Sequence, residues 1–354
     1  LAERALNETI PVRPDERLDT ERLLRYMRAH LELPAGDLAV EQFPSGHSNL
    51  TYLLRIGAWE AVLRRPPLGP VAPKAHDMER ECRLLSALHP VFPRAPKPYV
   101  FCADPAVIGS TFYIMERLHG VVLDEHWPAE LPLQPEICRR ITEGAVDTLV
   151  ELQGVDWRAA GLVEMGHPEG YLKRQVEGWL GRYERAKTDE LAEMVPLARW
   201  LTDDLPVSPP AVLIHNDFKL NNMMLDPGDL GHVVGVVDWE MSTLGDPLAD
   251  VALMLAYWTE PADAAELDLK SVTMLPEFPG RRDVLELYAR RSGRDVSQIN
   301  WYLGFSFFKI AVICQQIYFR WKTGQTKDPR FQGLGPVAIS FIRRANGLSH
   351  SNAF

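Results

Sequence analysis

Between residues 16 and 32, Leu18, Leu23, Leu24, Met27 and Leu31 recur at helical spacing among charged positions, which predicts an amphipathic helix ending near Leu33-Pro34. The texture then changes. Residues 38–43, 50–56 and 59–64 are short runs rich in β-branched and aromatic side chains, separated by Pro44-Ser45-Gly46 and Gly57-Ala58, and predict an antiparallel meander. After a Pro-rich loop, Asp77 to Leu88 sets Leu84, Leu85 and Leu88 on one helical face, and residues 99–102 and 111–116 predict two further strands. From about residue 135 the pattern is helical, over 136–153, 171–187, 190–201, 247–258, 281–292 and 299–321. A small β island at 212–215, 223–225 and 233–237 interrupts it, and 203–210 and 259–280, rich in Pro and Asp, predict loops. The fold class is therefore α+β. A β-rich N-terminal lobe, 1–117, carries a helical extension over about 1–36 and precedes a mostly helical lobe, 118–354.

Composition narrows the function. With 354 residues, 46% hydrophobic and 24% charged, the chain is long enough for two units with cores of their own. Its 38 Lys and Arg against 48 Asp and Glu give a net charge of −10, the wrong sign for a protein whose main partner is a nucleic acid. Cys82, Cys102, Cys138 and Cys314 show no C-x-x-C spacing and read as reduced thiols, which points to a cytoplasmic protein without structural zinc. The apolar run from Phe305 to Phe319 is interrupted by Lys309, Gln315 and Gln316 and falls short of a bilayer's width, so it predicts a core helix rather than a membrane span. The N-terminus, with charges every few residues, lacks the basic start and apolar run of a secretory signal.

The densest polar sequence lies in the β island, where Leu213-Ile-His-Asn-Asp-Phe-Lys-Leu-Asn-Asn-Met-Met-Leu225 is followed by Val236-Val-Asp-Trp-Glu-Met-Ser-Thr-Leu-Gly-Asp-Pro-Leu-Ala-Asp250. Asp217, Lys219 and Asn222 have the D-x-K-x-x-N spacing of a kinase catalytic loop, and Asp238 follows a hydrophobic strand as the metal-binding acid does there. The chain resembles the aminoglycoside phosphotransferase family, small-molecule kinases whose loop reads H-G-D-x-x-x-x-N with a further acid about twenty residues on. His215-Asn216-Asp217, Asn222 and Asp238 match that pattern, and Leu244-Gly-Asp-Pro-Leu-Ala-Asp250 matches the G-D-P-x-x-D segment that follows. The motifs look most like the subgroup containing the kinase-like portion fused to some acyl-CoA dehydrogenases.

The resemblance implies a bilobal protein-kinase-like fold, with ATP (GTP an alternative donor) and Mg²⁺ as cofactors and a small-molecule hydroxyl as acceptor. It implies a catalytic loop over 213–225 and a metal-binding segment over 233–250. Asp217 would take or orient the hydroxyl proton, Lys219 would face the transferring phosphate, and Asn222 and Asp238 would ligate the metal. His215 and Asp250 would brace the loop from behind. On the nucleotide side, Gly46, Ser48 and Asn49 occupy the place of the Gly-rich flap, which here has one glycine rather than three. Where a kinase carries its strand-three lysine this chain has Arg64, with Arg65 beside it as the alternative inward residue; its helix partner would be Glu81, or Glu79 one register away. Adenine would pack near Val62 and bond the backbone over Met115, Glu116 and Leu118.

The acceptor is less determined. Glu240, Glu260 and the run from Asp263 to Asp268 suit a cationic amino sugar or amino alcohol, whereas Arg290, Arg291, Arg294, Arg320 and Lys322 suit a hydroxyacyl compound such as a thioester. Two function classes follow: an ATP- and Mg²⁺-dependent phosphotransferase, or a catalytically degenerate kinase-like module that binds a nucleotide or a partner. Retention of Asp217, Asn222 and Asp238 together favours the first.

Overall fold

The computed structural model describes residues 9–44, 49–68, 76–267, 270–326 and 328–350. It separates into one unit made of residues 1–122, 157–165 and 221–241 and a second made of 123–156, 166–220 and 242–354.

The first unit is built on a five-stranded antiparallel sheet in the order β1-β2-β3-β5-β4, with β1 Ala39–Gln42, β2 Leu50–Ile56, β3 Trp59–Arg65, β4 Pro98–Cys102 and β5 Phe112–Glu116. Alternation along the strands gives the sheet two different faces. On one, Tyr52, Leu54, Ile56, Ala61, Leu63, Phe112 and Ile114 form a single core with Leu23 and Met27 of α1, Thr20–His30. Asp19 caps that helix by accepting from Arg22 N, 3.0 Å. The opposite set holds Leu53, Val62, Arg64, Tyr113 and Met115, all buried. α2, Met78–Leu88, starts from the Asp77 cap and buries Glu81 together with Cys82, Leu84, Leu85 and Leu88.

Also in this unit is the hairpin of β7, Met223–Asp226, and β8, Asp229–Val236, closed by a turn in which Gly228 N donates to Asp226 Oδ1 at 2.7 Å. Two backbone bonds of 2.8 Å between Val121 and Leu225 attach it, and Val236 N donates to Arg94 O at 2.8 Å. The chain crosses β7 so closely at Gly120 that a Cβ there would lie 2.8 Å from Met224 Cβ and 2.9 Å from the Leu225 carbonyl oxygen.

The second unit is helical: α3 Pro135–Gln153, α4 Tyr171–Ala186, α5 Met194–Asp203, α6 Pro247–Tyr257, α7 Arg281–Ser292, α8 Ile299–Lys322 and α9 Leu334–Gly347. α8 is its axis, packed against α4, α6 and α9. Among the described residues it is the one helix long and apolar enough to cross a membrane, and 67% of its most apolar window is buried inside the protein. Two short strands, β6 Val212–Ile214 and β9 Thr243–Gly245, pair antiparallel.

The structure differs from the sequence expectations in four places. α5 begins at Met194 rather than near 190, because Pro196 lacks an N–H and fits only the first turn. α9 is a helix for which the sequence pattern gives no expectation; Pro336 and Gly335 both lie in its first turn, where Gly335 lets Tyr318 approach. β9 is three residues long and shows no pattern of its own, and part of 259–280 forms single helical turns, including Ala264–Leu267. Gly120→Ala is expected to destabilise the protein by about 1–3 kcal/mol, since backbone as well as a Cβ must give way, measured by urea unfolding.

Candidate active site

Within the first unit, strand alternation sends Arg64 and Arg65 to opposite faces, and both are buried. Arg65 donates to Ile108 O at 2.9 Å, a structural bond on the core face. Arg64 is on the other face, among carboxylates. Its guanidinium lies 3.2 Å from Glu81, 3.1 Å from Asp238 and 3.9 Å from Glu240. Glu79, the alternative partner, is exposed. Burial works against the Arg64 charge, but the three carboxylates outweigh it and hold the guanidinium above its ordinary value. Burial likewise pushes the Glu81 carboxyl up to about 7, against the pull of Arg64.

Asp238 stands two residues past the end of β8, and Asn222 immediately precedes β7. Met223 pairs with Val236, and Val237 N donates to Asn222 O at 2.9 Å, so the hairpin brings the amide and the acid to neighbouring positions at one end. Asp238 has φ 69°, a left-handed backbone that aspartate tolerates better than most residues. Its side chain is 35% exposed. A carboxylate and a carboxamide side by side offer the hard oxygen donors that Mg²⁺ takes, so the residues present fit that ion.

The second unit holds the other part of the motif. β6 ends at Ile214, and the chain turns through His215, Asn216 and Asp217 on a single support. The buried Asp250 carboxylate, in the first turn of α6, accepts from His215 N and from Asn216 N, each at 2.6 Å. Asp217 N donates to His215 Nδ1 at 3.3 Å, and Ser242 Oγ donates to His215 O at 3.3 Å. Asn216 has φ 67°. Asp217 itself is only part-buried, with Lys219 Nζ 3.1 Å from its Oδ2 and 4.8 Å above the Tyr257 ring. Burial raises the Asp250 carboxyl to about 6, although the two N–H donors pull it back.

The sequence profile of the phosphotransferase enzyme family matches residues 39–282. The chain belongs to the phosphotransferase enzyme family. It is 35% identical to acyl-CoA dehydrogenase family member 11 of Gallus gallus over 97% of its own length, and it spans only 46% of that relative. A Ralstonia eutropha protein, whose crystal structure bears the name aminoglycoside phosphotransferase as an assignment rather than a measured activity, is 32% identical. It superposes with a TM-score of 0.80 over 94% of this chain and 99% of its own. A mutant of aminoglycoside phosphotransferase APH(4)-Ia, solved with ADP and hygromycin B, is 16% identical, with a TM-score of 0.58 over 95% of this chain and 99% of that one. The bilobal protein-kinase-like α+β architecture is thus the fold of this chain.

The other residues that the motifs single out have the following places. Gly46 and Ser48 lie outside the described residues. Asn49 is buried and donates to Glu240 at 2.6 Å, while His76 is 2.9 Å from its Oδ1. Met115 and Glu116 end β5, and Leu118 packs against Gly235 of β8. The acids read as an amine receptor disperse. Asp263 is buried 2.6 Å from Arg281, and Glu260 also faces Arg281; Asp268 lies outside the described residues. Arg290, Arg291 and Lys322 join surface ion pairs with Glu286, Asp147 and Asp189. A cavity of 990 Å³ lined by Trp200, Asp203, Asp295 and Trp301 contains none of the motif residues.

Sequence reasoning missed Tyr257 and Lys309, whose neighbours come from other elements. Lys309 did leave a signal, as a charge inside an apolar helix. Asp250→Ala would orphan two buried N–H groups and is expected to cost about 2–4 kcal/mol in urea unfolding. The pH dependence follows the raised carboxyl. Asp250 favours the fold fully below its ordinary value of 3.8, and that contribution declines as pH rises through about 6. The variant is expected to lack this slope.

Proposed function

We propose that the protein is an ATP- and Mg²⁺-dependent phosphotransferase that moves the γ-phosphoryl group to a hydroxyl of a small molecule. The observation that carries this reading is the end of the β7–β8 hairpin, where Asn222 and Asp238 lie side by side with the Arg64–Glu81 pair on Asp238. An amide, an acid and a buried cation are the parts that phosphoryl transfer asks of a protein, because its transition state is loose and anionic. Mg²⁺, held by Asn222 and Asp238, would supply positive charge against that of the phosphates.

In this reading Asn222 and Asp238 hold the metal. Arg64, anchored by Glu81, faces α- and β-phosphate oxygens, and the Met115 to Leu118 backbone with Val62 receives the base. Asp217 takes the proton of the acceptor hydroxyl as its oxygen bonds to the γ-phosphorus. The bond from that phosphorus to the bridging oxygen breaks, and ADP leaves with the electron pair. Lys219 meets the charge on the transferring group. The ADP complex of APH(4)-Ia supports nucleotide binding through the shared fold. For the acceptor, the relative named as an acyl-CoA dehydrogenase supports a hydroxyacyl compound, and hygromycin B on APH(4)-Ia supports an amino sugar. Cations at Lys219 and Lys309 near Asp217 favour the former.

Calorimetric titration of Mg²⁺-ATP and Mg²⁺-GTP tests the reading. The parent should bind in a metal-dependent way, Asp238→Asn should lose at least tenfold in affinity, and Asp217→Asn should bind within about twofold of the parent while transferring no phosphate to any acceptor. Absence of metal-dependent binding by the parent would instead support the non-catalytic module, for which Arg64 in place of lysine is the one structural argument.

A further inference from the structure

Lys309 is the one lysine that is buried among the described residues, at 6% exposure. It sits in the middle of α8, and its Nζ donates to Asn216 Oδ1 at 3.0 Å. Asn216 also hydrogen-bonds the Tyr171 hydroxyl. The position matters because the related loops read H-G-D, with glycine where this chain has asparagine. At φ 67° glycine adopts the left-handed backbone freely, whereas a residue with a Cβ is strained there, least for Asn and Asp. Something has to hold a non-glycine residue there, immediately before Asp217.

We infer that Lys309 is a positioning residue for transfer: its ammonium clamps the Asn216 amide, and the pair does the work of the glycine in aiming Asp217. The inference rests on the transfer reading above and extends it to α8. The groups facing Lys309 fit a clamp rather than an ion pair alone. Asp250 of α6 and Asp217 of the loop favour its charge, Arg182 of α4 opposes it, and the Trp179 ring lies 5.6 Å away. Burial lowers the ammonium to about 8, which still leaves it mostly charged at neutral pH. Burying a lysine costs desolvation, which here is offset by the Asn216 amide and by Asp250 and Asp217, so removing the ammonium alone leaves those partners unsatisfied.

Rescue by glycine separates positioning from stability. Lys309→Met, which orphans the Asn216 oxygen, is expected to unfold at a lower urea concentration than the parent, so kcat is read on the folded variant well below that transition. Its hydrolysis of ATP, with water as the acceptor, should fall about 10–100-fold in kcat, while KM for Mg²⁺-ATP stays within twofold. Adding Asn216→Gly to Lys309→Met should restore most of the lost kcat, because glycine holds the left-handed backbone without a clamp. Equal kcat in Lys309→Met and parent, or no recovery in the double variant, would overturn the inference. A parent that does not turn over ATP would count against the transfer reading instead. In that event the amide resonances of residues 215–217 still decide the clamp: Lys309→Met should shift or broaden them and the double variant should sharpen them again, and unchanged resonances in Lys309→Met would overturn it.

Discussion

The Asp250 carboxylate is the constraint on which the loop depends. Two successive backbone N–H groups, of His215 and Asn216, converge on its two oxygens at 2.6 Å, and that geometry requires the chain to turn sharply just after β6. The acid is fixed in turn by its helix. Asp246 caps α6 by accepting from Leu248 N at 2.9 Å, Pro247 opens it, and Tyr302 of α8 donates to Asp246 at 2.7 Å. A short strand, a helix start and the central helix α8 are thereby tied to one carboxylate, and the left-handed Asn216 follows from the turn it imposes.

In the first unit the corresponding constraint is the burial of a cation. Arg64 cannot lose its proton, so it is tolerated inside only with carboxylates around it, and Glu81, Asp238 and Glu240 come from a helix and from the segment after β8. The hairpin that carries Asp238 is held by Val121 and Arg94, far from these residues in the chain. A helix acid, a strand cation and a hairpin acid become one electrostatic unit, whose charges are those that a phosphate and its metal would exchange with.

Much of this was legible in the sequence. The strands of the sheet, α1, α2 and most of the later helices follow from hydrophobic period, and His215, Asp217, Asn222 and Asp238 are marked by their spacing. The pattern places the start of α5 too early, since Pro196 fits only a first helical turn, and α9, with Pro336 in its first turn, carries no expectation at all. β9 escaped because three residues carry no period, and its existence depends on β6 as partner.

The sequence by itself determined which residues could bear charge and which faces must be buried, since period and motif spacing are local properties of the chain. It could not decide between Arg64 and Arg65, between Glu79 and Glu81, or whether Lys309 was a surface or a core lysine. Those choices belong to the tertiary structure. Strand register assigns each arginine a face, helix rotation buries one glutamate and exposes its neighbour, and the packing of α8 brings Lys309 to a loop 93 residues earlier. Burial makes a charge costly, and only three-dimensional contact supplies the partner that offsets the cost.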